Sequence, residues 1–223
     1  MKELIKRTWL GKGIVKIRNK WKAEKTFEHS EKYWIDRYDK GGNSGAGSYH
    51  RLAVFKAAVI NAWVKENNIQ TVIEFGCGDG NQLRYFHFPS YIGYDVSTQA
   101  LKLCSKLFQQ DVSKHFALMK EYDQRSVDMS MSLDVIYHLI EDDVYHQYMS
   151  ALFQASHQFV VIYSSDKEEK PTNVSHVRQR QFSAWVKEYR PDFALVKHIP
   201  NQYPYDGNAV DTSISDFYIF QKK

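Results

Sequence analysis

Cysteine is nearly absent: Cys77 and Cys104 are the only two in 223 residues. Two thiols supply neither a disulfide framework nor a zinc-ligand set, so both are expected to be reduced. No apolar run approaches the ~20 residues that cross a bilayer, which excludes a transmembrane helix from the expected elements. The N-terminus has no apolar core followed by small residues at a cleavage site, so no secretory signal is read and a cytoplasmic location is expected. There is no internal repeat, and one glycine-rich stretch is the sole low-complexity tract. With 43% hydrophobic and 25% charged residues, what remains is an ordinary globule, of a length that fits one core with an appendage.

Surplus positive charge is also scarce outside one segment. The formal net charge is +4, yet residues 1–25 hold nine Lys/Arg against Glu3 and Glu24, which leaves the rest of the chain acidic. A nucleic-acid binder would carry its cations around the catalytic face, so DNA is not expected as a partner, and whatever meets the basic segment meets the N-terminus. Within that segment Leu10, Ile14, Ile17 and Trp21 fall on one helical stripe, with Lys12, Lys16 and Lys20 elsewhere around the axis. Two readings stand for this amphipathic helix. It packs on its own domain, or it lies on the inner face of a membrane with Trp9 and Trp21 at the interface and lysines reaching phosphates.

Residues 30–39 open with a Ser cap and carry Tyr33, Trp34 and Tyr38 within two turns, which predicts a short aromatic helix. It runs into residues 41–49, where four glycines in seven positions are too permissive for regular structure. That stretch is expected to be a loop, serving either as a solvated linker or as a lid. The spacing of Leu52, Phe55, Ala58, Val59, Ala62 and Trp63 then predicts a helix up to about residue 67.

The organising stretch is residues 71–83: an apolar run, then Gly76, Gly78 and Gly80, then helix-compatible residues. It reads as strand, tight turn and helix start, with glycines letting backbone N–H groups approach a ligand and a helix dipole facing the same spot. A dinucleotide fingerprint requires its third glycine where Asn81 stands, so a pyrophosphate ligand is disfavoured. Further strands are expected at residues 91–95, 115–119, 127–133, 159–163, 193–198 and 216–220, and helices at about 80–86, after Ser97, at 143–156 and at 179–189. Strands and helices alternating through such short connections predict a parallel sheet covered on both faces, with ligands at the carboxyl ends of the strands.

The acidic-x-Gly-x-Gly-x-Gly pattern filled by Glu74, Gly76, Gly78 and Gly80, followed by a second strand ending in Asp95, resembles the first motifs of class I S-adenosylmethionine-dependent methyltransferases. The resemblance covers about residues 50–223. It implies an α/β, Rossmann-like, doubly wound sheet of seven mostly parallel strands with an antiparallel last strand, plus an N-terminal helical extension. The division is then residues 1–48, a basic helical extension with a glycine-rich lid loop, and residues 49–223, the methyltransferase domain. S-adenosylmethionine is the implied cofactor. Its contacts are expected from Glu74, Gly76, Cys77, Gly78, Gly80, Val96, Leu133 and Asp134, with Asp95 on the ribose. The adenine end falls to residues 119–123, with Glu121 or Asp123 as the candidate, and Tyr49 and Arg51 are expected near the methionine carboxylate.

Methyl transfer from a sulfonium needs positioning, exclusion of water and, for some acceptors, removal of a proton. Asp134 and His138 follow the fourth strand and share a helical face if the helix has begun, so the carboxylate would orient the imidazole as a base. In an extended segment His176, Arg178 and Arg180 point one way as a basic fork suited to phosphate or carboxylate, with Trp185, Phe182 and Tyr203 as aromatic walls and Tyr33 and Arg37 contributed by the lid. Asp134 and Asp166 stand where catechol-type enzymes hold a metal, but Lys167 replaces the amide of that pattern and no metal is expected. Neither the Asn/Asp-Pro-Pro-aromatic motif of amino-methylating DNA enzymes nor the Pro-Cys of cytosine-C5 enzymes is present. The expected acceptor is therefore a small-molecule or glycan hydroxyl, including lipid- or phosphate-linked glycans. RNA or protein methylation and a non-catalytic cofactor-binding subunit are the alternatives.

Overall fold

The computed structural model describes residues 29–168 and 176–223. The basic helix expected within residues 10–21, and with it the membrane contact, lies outside the described residues. Helices α1 (Ser30–Asp39) and α2 (His50–Glu66) precede β1 (Thr71–Phe75), β2 (Ser90–Asp95), α3 (Thr98–Leu107), β3 (Lys114–Leu118), β4 (Val127–Leu133), α4 (Asp142–Gln154), β5 (Ser156–Ser164), α5 (Phe182–Tyr189), β6 (Phe193–Ile199) and β7 (Asp216–Lys222). No helix among the described residues is long and apolar enough to cross a membrane.

The seven strands form one sheet in the order β3-β2-β1-β4-β5-β7-β6, with β7 antiparallel to both β5 and β6. The strand alternation explains its two covered faces. Val72, Met129, Met131, Val161 and Ile219 face one side, against Ile60 and Val64 of α2 and Leu101 and Cys104 of α3. Ile73, Phe75, Val160, Ile162 and Phe220 face the other, against Met149, Leu152 and Phe153 of α4 and Trp185 and Val186 of α5. The order reverses between β1 and β4, and the crevice at their carboxyl ends is where such sheets take ligands.

Three local expectations are corrected. No α-helix follows the glycine turn; residues Gln82–Tyr85 make a single 3-10 turn. Phe86 and Phe88 are drawn into the core, where Phe88 stacks on Tyr91, and Pro89 follows, so too few residues remain to nucleate a helix. The glycine-rich loop is not irregular throughout: Ala46–Ser48 forms a 3-10 turn, and Arg37 donates from Nε to the Asn43 carbonyl at 2.6 Å. In α2 the fully packed stripe is Leu52, Ala53, Lys56, Ala57, Ile60 and Val64, one position round from the expected one, and it contains a lysine.

Candidate active site

The turn after β1 is built for close approach. Gly76, Gly78 and Gly80 have φ of 81°, 60° and 77°, a region that favours glycine. A Cβ at Gly76 would lie 2.5 Å from Val135 Cγ2, and one at Gly78 would lie 2.9 Å from the Tyr38 hydroxyl. With no helix start present, neighbouring acceptors take the turn's N–H groups. Gly76 and Cys77 donate to the Tyr94 carbonyl, and Gly78 donates to Asp95 Oδ2 at 2.9 Å. Asp95 Oδ1 accepts from Ser97 N–H, leaving lone pairs on both oxygens. Burial raises its pKa to about 6, against the pull of those backbone N–H groups.

Above the turn lies a cavity of about 500 Å³, bounded by Gly76, Gly78, Asp95, Val96, Leu133 and Asp134. Met119, Leu139, Val144 and Ala151 supply an apolar wall, with Lys120 beside Met119. The size suits a small-molecule ligand. Its chemistry fits an adenosyl amino acid: apolar faces for a base, a carboxylate at the end of β2 for ribose hydroxyls, and a glycine turn where backbone can approach the amino-acid end.

α1 and the glycine-rich loop close this cavity, with Ser30, Trp34, Tyr38, Ser44 and Ser48 on its wall. The loop is bound to the turn in both directions: Ser44 N–H donates to Asp79 Oδ2 and Asp79 N–H donates to Ser44 Oγ, each at 2.9 Å. Tyr38 and Ser44 hydroxyls are 2.8 Å apart, and Tyr49 donates to Asp79 Oδ2 at 2.7 Å. The other end of α1 is latched by Ser30, whose N–H and hydroxyl donate to the two Glu141 carboxylate oxygens while its Oγ accepts from Ile140 N–H.

At the carboxyl end of β4, Asp134 has φ 59° and breaks the strand sharply. Lys56 Nζ reaches its Oδ2 at 2.8 Å; Tyr137 OH and Ser215 Oγ donate to its Oδ1, each at 3.0 Å. The expected Asp134–His138 pair is therefore corrected. The left-handed backbone at Asp134 precedes a 3-10 turn, Ile136–His138, so the two side chains never share an α-helical face. His138 Nδ1 instead lies 2.9 Å from the His176 carbonyl, which makes it the donor and leaves Nε2 unprotonated. Burial pulls the imidazole pKa down to about 4, against that carbonyl. His138 also packs edge-on against Trp34, and its ring is stacked with His176, which stacks on Tyr33.

Residues 73–158 match the family described as a methyltransferase domain. No curated protein sequence matches the chain. Among solved structures, a SAM-dependent methyltransferase from Anabaena variabilis aligns with TM-score 0.61 and 16% identity over 86% of this chain and 93% of that one. Magnesium protoporphyrin IX methyltransferase (ChlM) from Synechocystis PCC 6803, solved with bound SAH, gives 0.59 and 12% over 86% and 98%. The methyltransferase domain of bacterial CtHen1-C gives 0.57 and 18% over 76% and 97%. Residues 73–158 are thus similar to a methyltransferase domain, and the fold is that of SAM-dependent methyltransferases of known structure. That match and the SAH-bound neighbour support S-adenosylmethionine as the cofactor.

Against this frame the sequence-predicted residues divide. Gly76, Gly78, Asp95, Val96, Leu133 and Asp134 meet around the cavity. Glu74 does not reach it: the carboxyl is buried beneath the turn, takes a 2.5 Å hydrogen bond from Tyr91 OH and ties β1 to β2. Cys77 is buried against Cys104, whose thiol donates to the Gly78 carbonyl, and Gly80 packs on Cys104, so both support the turn from behind. Glu121 folds back onto Leu118 N–H, and Met119 and Lys120 take its expected place. Tyr49 acts through Asp79, whereas Arg51 lies outside the wall, bonded to the Asp211 carbonyl and stacked 4.5 Å over Tyr203.

The acceptor-side expectations change most. Arg178 and Arg180 form no open fork, because both ion-pair with Asp142 and donate to the Ile140 carbonyl. Arg180 is buried over the Tyr145 ring and bonds the Leu139 carbonyl as well, which pins the segment after β4. Trp185 and Phe182 are core residues, Trp185 Nε1 donating to His146 Nδ1 at 2.7 Å. Asp166 accepts from Ser183 N–H at the start of α5. Arg37 holds the loop through Asn43, and Tyr33 and His176 form the stacked pair beside His138. Sequence reasoning missed Lys56, Ser44, Asp79 and Ser215; a serine or aspartate in a loop carries no local signal, but a lysine within a helical apolar stripe does.

Proposed function

We propose that the enzyme methylates a hydroxyl of a small molecule or glycan. The observation that carries this reading is Asp134, a carboxylate on the cavity wall beside the glycine turn, with lone-pair capacity remaining at Oδ2. When bound, S-adenosylmethionine supplies an electrophilic methyl group on a sulfonium. Asp134 Oδ2 accepts the hydrogen bond of the acceptor hydroxyl, which orients the oxygen and gives its proton a destination as oxygen becomes cationic. The apolar wall and the α1 lid keep water from the same space. His138, neutral and held by a main-chain carbonyl, shapes the wall behind Trp34 and leaves the proton to Asp134.

A methyl-transfer screen with labelled cofactor tests this, run against sugars, lipid-linked glycans, phenols, amines and RNA. Label in an oxygen-linked methyl group of a sugar, glycan or phenol supports the reading. Transfer confined to amines, carbon or RNA contradicts it. RNA as acceptor would also show binding that weakens steeply with salt.

A further inference from the structure

The stripe through which α2 packs on the sheet contains one charge. Lys56 lies between Ala53, Ala57 and Ile60 on that face and is fully buried, where an uncharged side chain of its size would pack with no desolvation cost. Its ammonium is 2.8 Å from Asp134 Oδ2 and 5.1 Å from the centre of the Tyr163 ring. Removing a buried ion pair in favour of apolar residues is commonly neutral or stabilising, so fold stability alone does not account for this lysine.

The partner carboxylate lies on the cavity wall, and its two oxygens are used differently. Among the described residues Oδ1 takes both neutral donors, Tyr137 OH and Ser215 Oγ, while Oδ2 takes Lys56 alone. Gly47 abuts Oδ2, since a Cβ on it would come within 2.6 Å. The carboxylate is thus fixed from three elements, α2, the turn after β4 and the segment before β7. A bare carboxylate on that wall would draw in any cation, whereas one already matched by a buried ammonium has no net charge to offer. It still accepts a hydrogen bond from a neutral O–H.

We propose that Lys56 is a positioning residue of the methyl-acceptor site, and that the Lys56–Asp134 pair selects a neutral hydroxyl over a protonated amine. The inference rests on Asp134 facing the acceptor. The proton released by the acceptor oxygen goes to Asp134 Oδ2 and on to solvent, and no further reactant is required.

Two probes test the charge balance by isothermal titration: S-adenosylhomocysteine, with a neutral thioether, and sinefungin, in which a carbon replaces the sulfur and bears an ammonium where the transferred methyl group would be. In the unaltered protein the two bind within about threefold of each other, because the pair is neutral. Asp134→Asn leaves the lysine unmatched and weakens sinefungin relative to S-adenosylhomocysteine by about tenfold or more. Lys56→Met leaves the carboxylate unmatched and moves the ratio the other way by a similar factor, while Lys56→Arg keeps it near the unaltered value. The double variant Lys56→Met/Asp134→Asn carries no unmatched charge, so its ratio also returns, and it serves where Lys56→Met alone fails to fold. A ratio unmoved by Asp134→Asn, or one that stays displaced in the double variant, overturns the proposal with the cofactor site intact. Absence of S-adenosylhomocysteine binding to folded, unaltered protein overturns the cofactor site itself, a distinct result.

Discussion

Gly41 and Gly76 offer a controlled comparison of what the glycine turn requires. Both hold a left-handed backbone, φ 77° and 81°, so alanine at either position costs about 1–2 kcal/mol in conformation alone. Their surroundings differ. A Cβ at Gly41 meets nothing within 4 Å, whereas at Gly76 it meets Val135 Cγ2 at 2.5 Å and Cγ1 at 3.5 Å, so the whole isopropyl group must move. Overpacking of that kind adds about 1–3 kcal/mol, which puts Gly76→Ala at about 2–5 kcal/mol against about 1–2 for Gly41→Ala. Val135 is part of the cavity wall, so the displacement also weakens cofactor binding. Denaturant unfolding of the single variants and of Gly76→Ala/Val135→Ala measures the effect, and the double variant recovers about 1–3 kcal/mol relative to additivity. Equal costs at Gly41 and Gly76, or strict additivity with Val135→Ala, would refute the close approach of the two loops.

Burial raises the Glu74 pKa from 4.5 to about 7, with Tyr91 OH and Lys56 pulling the other way. The folded state thus holds a proton on Glu74 that the unfolded state releases, so this group's contribution to stability slopes down by about 3 kcal/mol as pH rises from about 4.5 to 7 and is level above, beside a like contribution from Asp95 and an opposite one from His138. Glu74→Gln should flatten that slope in unfolding measurements at pH 5 and pH 8, and an unchanged slope would assign it elsewhere. For the chemistry, Asp134→Asn should lower kcat by about a hundredfold or more, while His138→Gln retains turnover within about tenfold; the reverse order would return the base to His138. Ser30→Ala leaves Ile140 N–H without its acceptor and frees one Glu141 oxygen, at about 1–3 kcal/mol. Hydrogen exchange along α1 should quicken while the central strands hold their protection, and unchanged exchange would mean that Ser30 is no latch.

Much of this was readable because it is local. Val72, Ile73 and Phe75 with three glycines announce strand and turn, Asp95 closes the next strand, and the alternation of short strands with helices fixes the sheet class. The helix after the turn misled because Phe86 and Phe88 carry helix-compatible neighbours but are claimed by the core around Tyr91. Arg178 and Arg180 alternate as an exposed fork would, yet the carbonyls left open after β4 and the Asp142 carboxylate draw both inward. Long-range partners leave no trace in spacing. Lys56 and Asp134 are 78 residues apart, and Ser44 and Asp79 are 35 apart. Lys56 was the one legible exception, a charge among Ala53, Ala57 and Ile60, and only the fold shows that it points at the carboxylate after β4.

Titration of the purified protein with S-adenosylhomocysteine tests the central claim most directly. The account predicts one saturable site per chain, weakened by about tenfold or more in Asp95→Ala, where the ribose loses its carboxylate partner. No heat of binding from a folded protein, or an affinity indifferent to Asp95, would contradict it.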